Sequence, residues 1–268
     1  MKREKKKNVL PCRQMEKKSK KYSVLGLMSG SSLDGLDIAL CSFTLSEKGM
    51  EWSIDIAETI PFSEKWMARL IGLPRSLAID FYKTHTYFGH YMAELVNPFL
   101  KKYQIEPDFI ASHGHTIYHY PNKMMTCQIG DGAALAAKTG LPVICDFRTH
   151  DVALQGEGTP LAPTADRFLF NGFDYYLNLG GIANISFHHP QWTAYDVVPC
   201  NQVLNFLAQE KNLAYDKDGY LAKSGNIIPE LLEELQGDKY FSLTPPKSLD
   251  NVGLLTKYIP IIQKYDSH

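Results

Sequence analysis

Long apolar runs are missing from this chain of 268 residues. No stretch approaches the roughly 20 apolar residues of a membrane-spanning helix, so no membrane is expected as a partner. Net charge is nearly absent as well. The 28 Lys/Arg and 29 Asp/Glu sum to −1, which argues against nucleic acid as a bulk electrostatic partner. There is no CxxC pair, and the five cysteines, Cys12, Cys41, Cys127, Cys145 and Cys200, are scattered. An odd, unpatterned set reads as reduced thiols and predicts a cytoplasmic protein. The apolar segment of a secretory signal is also lacking. Residues 1–21 instead hold ten Lys/Arg and read as a basic, disordered, solvated tail. What is present is an ordinary globular composition, 44% hydrophobic and 21% charged, in a chain long enough for one large domain or two ordinary ones.

The stretch Leu25–Leu40, LGLMSGSSLDGLDIAL, organises the rest. Val24 to Met28 read as a short buried strand. Leu36, Ile38 and Leu40 alternate with Asp37 and Ala39, as in a second strand with one buried face. The tip between them carries Ser29, Gly30, Ser31 and Ser32. Gly30 and Gly35 let a backbone approach a ligand closely, and a run of small residues can aim several N–H groups at one anion. Asp34 repels a phosphate directly but suits one with Mg²⁺ between them. A Gly/Ser-rich turn with no ligand is the other reading.

Glu51–Pro61 extends this hairpin into an antiparallel meander. Ser63–Leu73 reads as a capped helix. Leu77–Tyr103 is the longest helical pattern, with Pro98 expected to kink or divide it. Phe109–Ala111 is a short buried strand, and Ser112, His113, Gly114, His115 and Thr116 read as a polar loop at its C-terminal end, where ligands of open α/β sheets gather. His-x-His with His119 invites a metal, but no carboxylate or cysteine is spaced to complete a site. Neutral imidazoles and hydroxyls that hydrogen-bond a sugar fit better. Asp131 is placed to cap a helix at Ala133–Thr139, and Gly140–Asp146 is another strand. Phe147–Pro163 is long for a connector. In it, Arg148 either binds an anion or pairs with Asp146 or Asp151.

Phe173–His188, FDYYLNLGGIANISFH, repeats the opening pattern. A strand at Tyr175–Asn178, a turn at Gly180–Gly181 and a strand at Ile182–Phe187 form a second hairpin with Asn178, Asn184 and Ser186 near its tip. Two such hairpins suggest a duplication, with two related lobes facing one polyphosphate from opposite sides. Tyr195–Val198 is a strand carrying Asp196. An acid interrupting an apolar strand is costly to bury unless it is paired or used, so Asp196 is the candidate general base. Asn201 is placed to cap the next helix. Asp216, Asp218 and Gly219 read as a solvated turn, and two further helices are expected at Ile227–Leu235 and Gly253–Lys264.

Taken together, GLMSGSSLDGLDIAL, ASHGHTIYH, QIGDGAALAAKTGLPVICDFRTHDVAL, LNLGGIANIS, YDVVPCN, YDKDG and PPKS resemble the anhydro-N-acetylmuramic acid kinases of the sugar kinase/actin/Hsp70-type ATPase superfamily. The resemblance implies an α/β, two-lobed, actin/sugar-kinase-like (ribonuclease H-like) fold, with a lobe over residues 22–165 and a second over 166–268. It implies an ATP-dependent kinase that opens a 1,6-anhydro sugar by hydrolysis and phosphorylates it in cell-wall recycling. Gly30, Ser31, Ser32, Leu33, Asp34, Gly35 and Asp37 would form the first phosphate element for ATP. Asn178, Gly180, Gly181 and Asn184 would form the second. Ser112, His113, His115, Thr116, Arg148, Asp151 and Gly158 would help build the sugar pocket, and Asp196 matches the catalytic aspartate. Mg²⁺ would come with ATP, with Asp34 as the one candidate protein ligand. A homodimer is left open.

The chain departs from the family in four ways. Ser32 or its neighbour stands where the family has Thr, which keeps a hydroxyl. The family's Gly-Gly-Gln-Gly-Ala-Pro-Leu is here Gln155-Gly156-Glu157-Gly158-Thr159-Pro160-Leu161, with a carboxylate near a site for anions. The segment after Asp196 is Val197-Val198-Pro199-Cys200-Asn201. The family's later Gly-rich adenosine-binding segment is not found before His268, so the second lobe is expected to be incomplete. The alternatives are a non-catalytic sugar- or nucleotide-binding remnant, and a metal-assisted hydrolase using His113, His115 and Asp196.

Overall fold

A computed structural model of the chain describes residues 19–30, 33–47, 49–170, 172–249 and 251–265. Residues 1–18 of the basic segment 1–21 and the predicted phosphate contacts Ser31 and Ser32 lie outside these residues, while Lys20 and Lys21, expected in the disordered tail, begin the first strand, paired to Leu45 and Thr44.

Strands β1 (Lys20–Ser29), β2 (Gly35–Ser46) and β3 (Gly49–Pro61) form the expected antiparallel meander. The period-2 pattern decides its faces. Leu36, Ile38 and Leu40 are buried while Asp37 between them is exposed. Helix α1 (Glu64–Gly72) starts where the Ser63 side chain accepts the Trp66 N–H. Helix α2 (Ala78–Tyr103) buries Phe88, Met92, Val96 and Phe99 against the sheet, one apolar stripe at helical spacing. Phe62 meets Phe88 edge-on at 5.8 Å, and Trp66 stacks on Tyr91 at 4.7 Å. Pro98 does not divide α2, contrary to expectation. It sits on the exposed face one turn from the end, where water can satisfy the carbonyl that loses its partner.

Strand β4 (Phe109–Tyr120) lies parallel to β1. Its first half pairs with the parallel β6 (Val143–Cys145) and its second half with the antiparallel β5 (Met125–Ile129). The first sheet thus runs β3-β2-β1-β4-β5, with β6 joined to β4. The segment Ser112–Thr116, expected as a loop, is the fork inside β4. Gly114 turns it at φ +71°, and a Cβ there would collide with the Ile129 carbonyl. Helix α3 (Gly132–Thr139) begins at Asp131, whose carboxylate accepts the N–H groups of Ala133 at 2.8 Å and Ala134 at 3.2 Å. The expected long loop after β6 contains a short helix, α4 (Thr149–Ala153).

Helix α5 (Ala162–Leu169) leads into a second antiparallel sheet of β7 (Tyr175–Leu179), β8 (Ile182–His188) and β9 (Trp192–Pro199). The two similar sequence hairpins therefore lie in different sheets. Helices α6 (Asn201–Glu210), α7 (Tyr220–Ser224), α8 (Pro229–Gln236) and α9 (Asn251–Gln263) follow. Asn201 is the first residue of α6 and not its cap, because its amide donates instead to the Leu179 carbonyl at 2.9 Å and ties α6 to β7. Among the described residues no helix is long and apolar enough to cross a membrane.

Candidate functional site

The two sheets meet around a cavity of about 510 Å³. Register builds its second-sheet wall. Asn178 on β7 stands opposite Asn184 on β8, and Asn184 stands opposite Asp196 on β9. Directly paired residues share a face, so three polar side chains form one row across the sheet, and all three line the cavity. Gly180 and Gly181 of the β7–β8 turn line it too. The Asn184 side-chain oxygen is buried and has no hydrogen-bond partner among the described residues.

Ser29, His113, Thr116 and Arg148 come from the first sheet and its connections. The Arg148 Nε donates to His113 Nε2 at 2.9 Å. That nitrogen is therefore bare, and the His113 Nδ1–H donates to the Gly114 carbonyl at 3.0 Å. Burial, together with the Arg148 charge, lowers the His113 pKa to about 4. His115 sits just behind the wall at 3.0 Å from the Ser29 hydroxyl, and burial lowers its pKa to about 4 as well. Both rings are neutral near pH 7. With both His113 nitrogens engaged, the metal set of His113, His115 and Asp196 is not assembled. No cluster of three metal-ligating side chains exists among the described residues.

Arg148 pairs with neither Asp146 nor Asp151. Its second bond, at 2.8 Å, goes to the Gly158 carbonyl. Asp146 accepts from Thr149, and Asp151 accepts the Gly158 N–H at 2.6 Å, so Asp151 and Gly158 brace the loop that carries Arg148. Gly158 has φ +62°, and a Cβ on it would meet Val152.

Asp196 is 3% exposed. Its Oδ2 accepts the Leu249 N–H at 2.9 Å, its own N–H donates to the Lys247 carbonyl at 3.1 Å, and the Tyr240 hydroxyl donates to its carbonyl at 2.7 Å. Burial is the largest influence and, with the Glu157 charge, raises its pKa to about 6, against the opposing pull of the Leu249 bond and Arg148. A carboxylate so placed is ionised at neutral pH yet basic enough to take a proton. Sequence reasoning missed Leu249, Lys247 and Tyr240. Their only signal was the PPKS segment, 51 residues beyond Asp196 in the case of Lys247.

The other predicted positions are more distant. Leu33 takes φ +59°, and the Gly35 N–H donates to Asp34 Oδ1 at 3.0 Å. Gly30, Leu33 and Asp34 belong to the β1–β2 connection and Gly35 opens β2; none of the four lines the cavity. Asp37 accepts from Thr59 of β3 at 2.5 Å. Ser112 faces a second cavity of about 520 Å³, shared with Cys127, Cys145 and Asp131.

In this α/β chain, a cavity between two sheets that is lined by a buried acid, a guanidinium and one Gly-Gly turn is the candidate ligand-binding site. The chain belongs to the anhydro-N-acetylmuramic acid kinase family, which it matches over residues 22–258. Relatives of that name include one from Sulfurovum sp. (strain NBC37-1), 34% identical over 239 residues, covering 85% of this chain and 66% of the relative. One from Vibrio cholerae is 37% identical over 237 residues, covering 84% and 63%. One from Caldanaerobacter subterraneus is 31% identical over 272 residues, covering 91% and 68%. The chain spans just under two thirds of the length of the first two. Among solved structures, the ethanolamine utilization protein EutJ from Carboxydothermus hydrogenoformans aligns over 92% of this chain and 82% of its own, at 12% identity and a TM-score of 0.31, too low to inform the fold.

Proposed function

We propose that the chain is an ATP-dependent kinase that opens 1,6-anhydro-N-acetylmuramic acid by hydrolysis and phosphorylates it to N-acetylmuramic acid 6-phosphate. The observation that carries this reading is Asp196, buried on the cavity wall of a chain in this family with a pKa of about 6. Asp196 takes a proton from water as the water oxygen bonds to the anomeric carbon and the C1–O6 bond breaks. The freed O6 then attacks the γ-phosphorus of ATP, ADP leaves, and Asp196 returns its proton to solvent. Arg148, His113 and Thr116 orient the sugar, with Ser112 and His115 behind them and Asp151 and Gly158 holding the loop. Gly30–Asp37 and Asn178–Asn184 hold the nucleotide phosphates. The described residues offer no three-ligand cage, so their donor set suits a Mg²⁺ that arrives with the nucleotide and keeps its waters. Asp34 would hold it, and when bound it supplies charge neutralisation on the phosphates.

The lobes are residues 22–165 and 166–268. The described cysteines Cys41, Cys127, Cys145 and Cys200 are free thiols, which suits a cytoplasmic enzyme of cell-wall recycling. The test is purified protein with ATP, Mg²⁺ and the anhydro sugar, with product followed by mass. Phosphorylated sugar that vanishes in Asp196→Asn supports the reading. Sugar binding without product overturns it in favour of a binding protein.

A further inference from the structure

Lys247, Ser248 and Leu249 form a strap that grips Asp196 twice, at its backbone N–H through the Lys247 carbonyl and at its carboxylate through the Leu249 N–H. Between these two contacts the Ser248 hydroxyl donates to Glu157 Oε2 at 2.7 Å, across 91 residues of chain. Glu157 is itself held on both sides. The Gly156 N–H donates to the Asp151 carbonyl at 2.8 Å, and the Gly158 N–H to the Asp151 carboxylate at 2.6 Å. A fixed carboxylate from the Arg148 loop thus anchors the strap from the other sheet. We propose that Glu157 is a positioning residue for Asp196: it pins the Lys247–Leu249 strap in place, and its negative charge opposes that of the base. The assignment rests on the general-base reading above.

The two roles separate chemically. A glutamine can still accept from Ser248 but carries no charge. Removing Ser248 keeps the charge but cuts the anchor. Among the described residues, the other charged or titratable groups around Asp196 are Arg148, which favours its ionised form, and the Tyr240 hydroxyl, which is committed to the Asp196 carbonyl. Tyr195 is its neighbour on β9, and the Lys247 ammonium is engaged by the Tyr240 and Phe241 carbonyls. His113 reaches it only through Arg148 and is neutral.

The experiment titrates the Asp196 carboxyl by carbon NMR, assigned with Asp196→Asn, and measures hydrogen exchange at the Leu249 amide. Glu157→Gln is expected to lower the Asp196 midpoint from about 6 by about half a pH unit or more, with Leu249 protection kept. Ser248→Ala is expected to speed Leu249 exchange about fivefold, the factor that one net hydrogen bond represents, without lowering the midpoint. Glu157→Ala is expected to do both. An unmoved midpoint in Glu157→Gln, or wild-type Leu249 exchange in both Ser248→Ala and Glu157→Ala, overturns the assignment. In the kinase assay, Glu157→Gln is expected to move the acid limb of kcat to lower pH at unchanged KM for the sugar. A wild-type protein that makes no product refutes the kinase reading, while the two NMR readouts still decide the role of Glu157.

Discussion

Asp196→Asn is expected to make the protein more stable at pH 8, by an amount that shrinks on acidification. Asp196 is almost fully buried, and its folded-state pKa is raised from 3.8 to about 6. The folded form therefore holds this proton more tightly than the unfolded chain, and deprotonation penalises folding. The penalty is absent below 3.8, grows between 3.8 and 6 and is complete above about 6. At roughly 1.4 kcal/mol per pH unit it reaches about 3 kcal/mol. Asparagine removes the charge and can still accept the Leu249 N–H, but it buries an amide that costs about 1–2 kcal/mol where no acceptor meets it. The net gain at pH 8 is about 1–2 kcal/mol, or an increase of about 3–6 °C in Tm for a chain of this size. Thermal melts of the wild type and the variant from pH 4 to 8 measure it. Taking the difference between the two proteins cancels every other titrating group that the substitution does not touch. A variant no more stable than wild type at pH 8, or a gap independent of pH, would show that the acid is not held against its ionisation and that the general-base argument fails.

Arg148→Ala should lower kcat/KM about 10- to 100-fold, the worth of one lost charge-assisted bond. It should also move the acid limb of the rate profile above pH 6, because the cation that favours ionised Asp196 is gone; Arg148→Lys should restore the limb but not the rate, since it lacks the fork that reaches His113 and Gly158. His113 and His115 act on stability with the opposite sign to Asp196. Their folded pKa values of about 4 lie below the ordinary 6.5, so stability is full above 6.5 and falls as pH drops towards 4. Imidazole NMR should find both rings neutral at pH 5.5, and a titration near 6.5 would contradict their burial. Gly89→Ala on α2 drives a methyl into the Asp131 carbonyl at the cap of α3 and should cost a net ~1–2 kcal/mol in denaturant melts, after the gain in helix propensity is subtracted.

Local chemistry in the sequence determined much of this protein. Alternation at Leu36, Ile38 and Leu40 set the buried face of β2, and the spacing of Phe88, Met92, Val96 and Phe99 set the buried stripe of α2. Ser63 and Asp131 announced their helices as caps, and an acid inside the apolar strand β9 announced the candidate base. Such signals act within a few residues, so they survive without knowledge of the fold. Only the tertiary structure decided that Ser112–Thr116 is a forked strand and not a loop, because the second half of β4 pairs with β5, a strand whose register nothing in the segment itself encodes. Register across three strands likewise put Asn178, Asn184 and Asp196 in one row. The bonds that poise the site span long gaps: Arg148 to His113, Leu249 to Asp196, and Ser248 to Glu157. Each depends on where two distant backbones come to rest, which is a property of packing and not of any local pattern.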